Sequence, residues 1–184
     1  TIGAFTTSDG TASSGYWATP ANAYVFWEEF ESSAAATSVG YIWATSLANS
    51  GTTTINLLVD GSHFGTIGVR TLTATNAQAA LHMGSTMLTY GSGQVYNEWL
   101  VQLSNLSDGT DQFVVRVGTG DQTLSADAVD GVYFEYQHTV TNVWQIKTAS
   151  NSTRTVASTT TNVVAGAWVK LATLVNAGAT SVAF

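Results

Sequence analysis

Between residues 130 and 136 the chain reads Asp-Gly-Val-Tyr-Phe-Glu-Tyr. Asp130-Gly131 is a tight-turn dipeptide whose glycine tolerates positive φ. The residues after it alternate. Val132, Phe134 and Tyr136 fall on one side, and Tyr133 and Glu135 on the other, as the two-residue period of a strand requires. Similar short runs recur along the chain, separated by clusters of Gly, Asn, Asp, Ser and Thr, and there is one proline in all. A chain built this way has no stretch long enough to bury as an amphipathic helix. It predicts a β-sandwich or barrel of about a dozen short strands.

Composition narrows the environment and the partners. The 184 residues suit one domain with a sizeable core, and no cysteine is present to staple it. Charged residues make up only 9%, and the net charge is −7. Nucleic-acid backbones and anionic membranes call for clustered Lys and Arg, so neither is an expected partner. Hydrophobic residues reach 45%, with six Trp, seven Tyr and seven Phe, which predicts a packed chain despite the sparse charge. No run approaches the roughly 20 apolar residues of a membrane span, and no secretory leader pattern opens the chain.

In order, residues 1–20 are Thr/Ser/Gly-rich, hold the proline and predict an N-terminal arm anchored by Tyr16-Trp17. Residues 21–184 are expected to form a single domain. Its strands are expected at 22–31, 39–45, 53–59, 64–72, 78–83, 87–90 and 95–103, then at 113–117, 130–136, 142–147, 154–158 and 167–175. In the 95–103 run, Val95, Trp99, Val101 and Leu103 share one parity. In the next, Phe113, Val115 and Val117 oppose Val114 and Arg116. Residues 118–121 read as the exit to a loop of small residues and aspartates.

Residues 113–184 resemble the concanavalin A-like jelly roll of bacteriophage structural proteins. The match is carried by Phe113-Val114-Val115-Arg116-Val117-Gly118-Thr119-Gly120-Asp121, by the strand from Asp130 to Tyr136, by Trp144 with the turn Asn151-Ser152-Thr153-Arg154-Thr155, and by Ala165-Gly166-Ala167-Trp168-Val169-Lys170-Leu171 with Val175-Asn176-Ala177. In the family, the segment matching residues 180–184 usually runs on into a Tyr-x-Asn-Gly hairpin, whereas this sequence stops at Phe184, so either truncation or completion of the sheet by a neighbour is expected. The resemblance implies a two-sheet antiparallel jelly-roll sandwich. It also implies a non-enzymatic role on the virion surface as a capsid decoration, head-fibre or tail-fibre module. The partners so implied are copies of itself, other virion proteins and a host surface glycan. A secreted carbohydrate-binding adhesin or accessory module is the alternative, and a glucanase-like hydrolase stands behind it.

Each candidate chemistry has a plain structural counterpart. Glu28, Glu29 and Glu31 invite a glycosidase reading. Laminarinase-type enzymes of this fold carry Glu-x-Asp-x-x-Glu, whereas this chain has Glu-Glu-Phe-Glu. Solvated strand carboxylates are the expectation, with no catalytic residues. Asp108, Asp111, Asp121, Asp127 and Asp130 could offer oxygens to Ca²⁺, but their spacing fits no calcium loop and Asp-Gly is first a turn signal. No cofactor is therefore expected. His63, His82 and His138 lack ligand spacing and read as structural. The face bearing Tyr133 and Glu135 is the expected binding face for a glycan or partner, with Arg116, Gln145 and Lys147 beside them. A ring to stack on and planar polar groups to orient hydroxyls are what a sugar needs. An ordinary Arg116/Glu135 cross-strand pair is its structural counterpart.

Overall fold

The computed structural model describes residues 44–49, 53–60, 63–71, 76–83, 88–108, 110–122, 126–137 and 142–184. The expected arm at 1–20, the strand at 22–31 with its three glutamates, and His138 lie outside them. The described chain is all-β and antiparallel throughout. Its strands are β1 (Ala44–Ala48), β2 (Thr53–Asp60), β3 (His63–Thr71), β4 (Gln78–His82), β5 (Val95–Gln102) and β6 (Val115–Gly120), followed by β7 (Gly131–Tyr136), β8 (Val143–Ser150), β9 (Thr153–Asn162), β10 (Trp168–Val175) and β11 (Val182–Ala183). Four of them form a sheet in the order β6-β7-β8-β9, and three form a sheet in the order β11-β10-β5. The pairs β2-β3 and β1-β4 are ribbons.

Most expected strands are present, with shifted bounds. The 113–117 run begins instead at Val115 and continues through Gly120, so Gly118 and Gly120, read as the exit to a loop, are in the ladder. The 154–158 run extends to ten residues. Around 87–90 no strand forms among the described residues, and Tyr90 begins a turn with Gly91 in the left-handed region.

The four- and three-stranded sheets share one apolar cluster. Phe134 and Tyr136 from β7, Trp144 from β8 and Leu171 from β10 are its buried centre. Around them pack Val115 and Val117 from β6, Ile146 from β8, Trp99 and Val101 from β5, and Val169 from β10. The expected core parity of β7 and β5 is therefore observed. The rings lie edge-on or tilted: Tyr136 and Trp144 centroids are 6.1 Å apart, and Phe113 and Tyr136 are 5.9 Å apart. Such pairs add about 0.5–1.5 kcal/mol beyond area burial. The Tyr136 hydroxyl, at the bottom of this core, accepts the Ser107 N–H at 3.2 Å. Ser107 Oγ in turn donates to the Asp111 carbonyl and accepts the Phe113 N–H, which fixes the turn entering β6.

Close backbone approach, more than turn chemistry, dictates the glycines of β6 and β7. Gly118 pairs with Tyr133, has φ +153°, and would bring a Cβ within 2.5 Å of the Tyr133 Cα. Gly131 is extended within β7, so the expected left-handed turn glycine is not found there. Its hydrogen is needed because a Cβ would lie 2.6 Å from the Thr119 carbonyl oxygen. The β8–β9 hairpin is tight, with Asn151 and Ser152 both at positive φ between the paired Ser150 and Thr153. Its tip is held from outside: Asn151 N–H donates to Asp130 Oδ1 and Ser152 N–H to the Val129 carbonyl, each at 2.9 Å.

Replacing Gly118 by Ala forces a strained φ and a backbone clash at once. Urea unfolding is expected to show a loss of about 2–4 kcal/mol, whereas Gly93→Ala, with open space at its Cβ, stays near the parent.

Candidate functional site

Strand register decides which side chains can meet on the sheet face away from the core. Arg116, Glu135, Gln145 and Ser158 form one cross-strand row, and Gly118, Tyr133, Lys147 and Val156 form the next. All five expected binding-face residues, Arg116, Tyr133, Glu135, Gln145 and Lys147, thus lie on one face in adjacent rows.

They are not solvated as expected. Tyr133 is 4% exposed and Glu135 is 1% exposed, and every residue of β7 is buried. Part of the reason is the loop at 126–130, which is drawn onto this face. Asp127 accepts from Arg116 Nη2 at 2.7 Å and from the Tyr133 hydroxyl at 3.4 Å. Arg154 Nη2, on β9, donates to the carbonyls of Asp127 and Ala128. Ala128 is buried where the facing Gly120 and Gly131 leave room for its methyl group. Asp121 anchors the other end by accepting the N–H groups of Val129 and Asp130.

Beneath the loop is a charge cluster. Glu135 Oε2 accepts from Arg116 Nε at 2.7 Å, and its Oε1 accepts from Lys147 Nζ at 2.6 Å. Asp127 also lies 3.7 Å from Arg154 Nε and 4.0 Å from Lys147 Nζ. Three of the chain's five Lys and Arg residues thus converge on two carboxylates. Burial raises the Tyr133 phenol above its ordinary pKa, and the Asp127 charge adds to the rise. Such a cluster is weak as a net stabiliser, because desolvation offsets most of the Coulomb gain. Removing one partner is a different matter, since the remaining buried charge is then uncompensated. The cluster locks β6, β7, β8 and the loop at 126–130 into one arrangement.

The other candidates resolve into local structure. Asp108 Oδ1 accepts the N–H groups of Thr110 and Asp111, and Asp130 Oδ1 that of Asn151, so these carboxylates build turns. Among the described residues no group of three or more His, Asp or Glu side chains is placed to hold a metal ion. His82 Nε2 bonds to Ser46 Oγ at 2.9 Å across β1 and β4.

Sequence reasoning did not single out the outer face of the three-stranded sheet. Tyr96 is 56% exposed and Leu100 is 55% exposed. Tyr96 pairs with Leu174, and Leu100 with Lys170. Tyr96 donates its hydroxyl to Glu98, which also pairs with Lys170 at 3.4 Å. The signal was available: if Trp99 and Val101 point inward, Tyr96, Glu98 and Leu100 must point out.

A family model described as "SO2946-like, C-terminal domain" matches residues 62–184. No curated protein and no solved structure matches the chain.

Glu135→Gln is expected to lower unfolding free energy by about 3–5 kcal/mol. Lys147→Met in the same background should restore part of the loss, giving a coupling above about 1 kcal/mol in a double-mutant cycle. Alkaline pH supplies a separate check. Because Tyr133 keeps its proton more tightly when folded, its contribution is intact below the unfolded phenol pKa of about 10. It is lost as pH rises through the folded value. Thermal midpoints should therefore fall less steeply above pH 10 in Tyr133→Phe than in the parent.

Proposed function

This chain belongs to the SO2946-like C-terminal domain family, and we propose that it is a non-enzymatic surface protein of a bacteriophage particle. In this reading it is a capsid decoration, head-fibre or tail-fibre module that acts by packing against copies of itself and other virion proteins. The setting rests on the resemblance of residues 113–184 to phage jelly-roll proteins. The two sheets with a shared core fit the two-sheet jelly-roll sandwich that the resemblance implies, and that finer fold belongs to the same proposal.

One observation carries the choice of contact over chemistry. The densest polar constellation among the described residues is internally paired under a loop, while the face carrying Tyr96, Leu100 and Leu174 is exposed. A sheet face on which exposed Tyr96, Leu100 and Leu174 surround a single Glu98–Lys170 pair is suited to packing on another surface. Host glycan binding is a secondary role in this reading. At the expected face it requires the loop at 126–130 to lift, because the buried Tyr133 ring offers no surface for a sugar to stack on.

Mass spectrometry of purified particles is expected to find the chain at a fixed copy number. The isolated chain should release no reducing sugar from β-glucans, and Glu28→Gln with Glu29→Gln should leave its incorporation unchanged. Sugar release that those two substitutions abolish would overturn the proposal in favour of a hydrolase. Absence from particles together with selective binding on a glycan array would favour the adhesin.

A further inference from the structure

We infer that two copies of this chain join through β9 about a two-fold axis, continuing the four-stranded sheet across the seam. This rests on the packing role proposed above and assigns it a surface. Among the described residues β9 is a terminal strand of the four-stranded sheet, ten residues long, free of proline and exposed along almost its whole length. Strands of that kind are templates for further pairing unless charge, proline or shortness protects them. At the opposite edge β6 has six residues, and its Thr119 side chain is engaged by the Tyr90 hydroxyl.

Charge selects a second copy as the occupant. The chain carries −7 overall, so most ways of bringing two copies together oppose carboxylates. No Asp or Glu follows Glu135 in the sequence. The only charge on β9 is Arg154, whose guanidinium is turned back onto Asp127 and Ala128. A β9 seam therefore joins neutral Thr, Ser, Ala and Val surfaces.

Geometry sets the register. A two-fold axis perpendicular to the sheet keeps each residue on its own face, so the axis passes through a self-opposed residue. Val156 is that residue. It is 51% exposed and lies in the part of β9 that pairs regularly with β8, before the register shift near Val143. Facing its own copy, it gains an apolar cross-strand partner. The two Arg154 residues are then offset by four positions, roughly 14 Å at strand spacing, beyond the Debye length of about 8 Å. A seam of β9 against itself also closes, unlike β9 against β6, which would run on as a fibre.

The full chain lacks cysteine, so single-cysteine probes read the seam directly. Self-opposed antiparallel residues sit about 4.5–5.5 Å apart at Cα, within disulfide reach. The parent is expected to sediment as a dimer of the 19.3 kDa chain. Val156→Cys should form a covalent dimer on mild oxidation and Leu100→Cys should not. Val156→Glu should sediment as a monomer that keeps the parent's circular dichroism spectrum and melts at a midpoint independent of concentration, since Lys147 is its in-register neighbour. A multimer that survives Val156→Glu, or cross-links through Leu100 and not Val156, would overturn the seam and leave packing between copies standing. A parent monomeric at every concentration tested would overturn the seam, and particle incorporation would then decide the proposed role separately.

Discussion

The fold depends on how one carboxylate is buried. Glu135 is the penultimate residue of β7, a strand with no exposed residue, and its charge is compensated only if Arg116 and Lys147 arrive from the strands on either side. That requirement ties the register of β6, β7 and β8 to a single arrangement. A slip of one residue would send Glu135 into the core, turn Phe134 and Tyr136 out of it, and leave the two cations without their partner. Ion pairs of this kind add little net stability. Here the cluster penalises the alternatives.

Once β7 is buried on both faces, its neighbours inherit constraints. The glycines at 118, 120 and 131 let the strands and the loop at 126–130 approach closely enough to roof the second face. Asp121, Asp130 and Arg154 then hold that loop and the β8–β9 hairpin together through backbone groups. Aspartates that look like loose metal ligands in the sequence serve as backbone acceptors. The consequence is an uneven surface, with charge gathered under a loop and the length of β9 presented almost without it.

The legible part of the sequence was whatever the two-residue period controls. It placed Val132, Phe134 and Tyr136 in the core, and it put Arg116, Tyr133, Glu135, Gln145 and Lys147 on the other face, because parity follows from backbone geometry alone. Whether that second face is wet was not legible. That depends on a tertiary event, the folding-over of residues 126–130, whose Asp/Ala composition reads only as a turn. The role of Gly118 and Gly120 inside the ladder was not legible for a related reason: glycine marks both turns and close approach, and the difference lies in what sits opposite. The full length of β9 was hidden because its threonines and serines carry no hydrophobic alternation.

Native-state hydrogen exchange tests the central claim most directly, because it asks whether the doubly buried strand is the part of the molecule that opens last. The account predicts that the amides of residues 132–136 exchange only through global unfolding, more slowly than those of residues 153–158 at the sheet's edge. Exchange of the β7 amides as fast as those of β9 would contradict it.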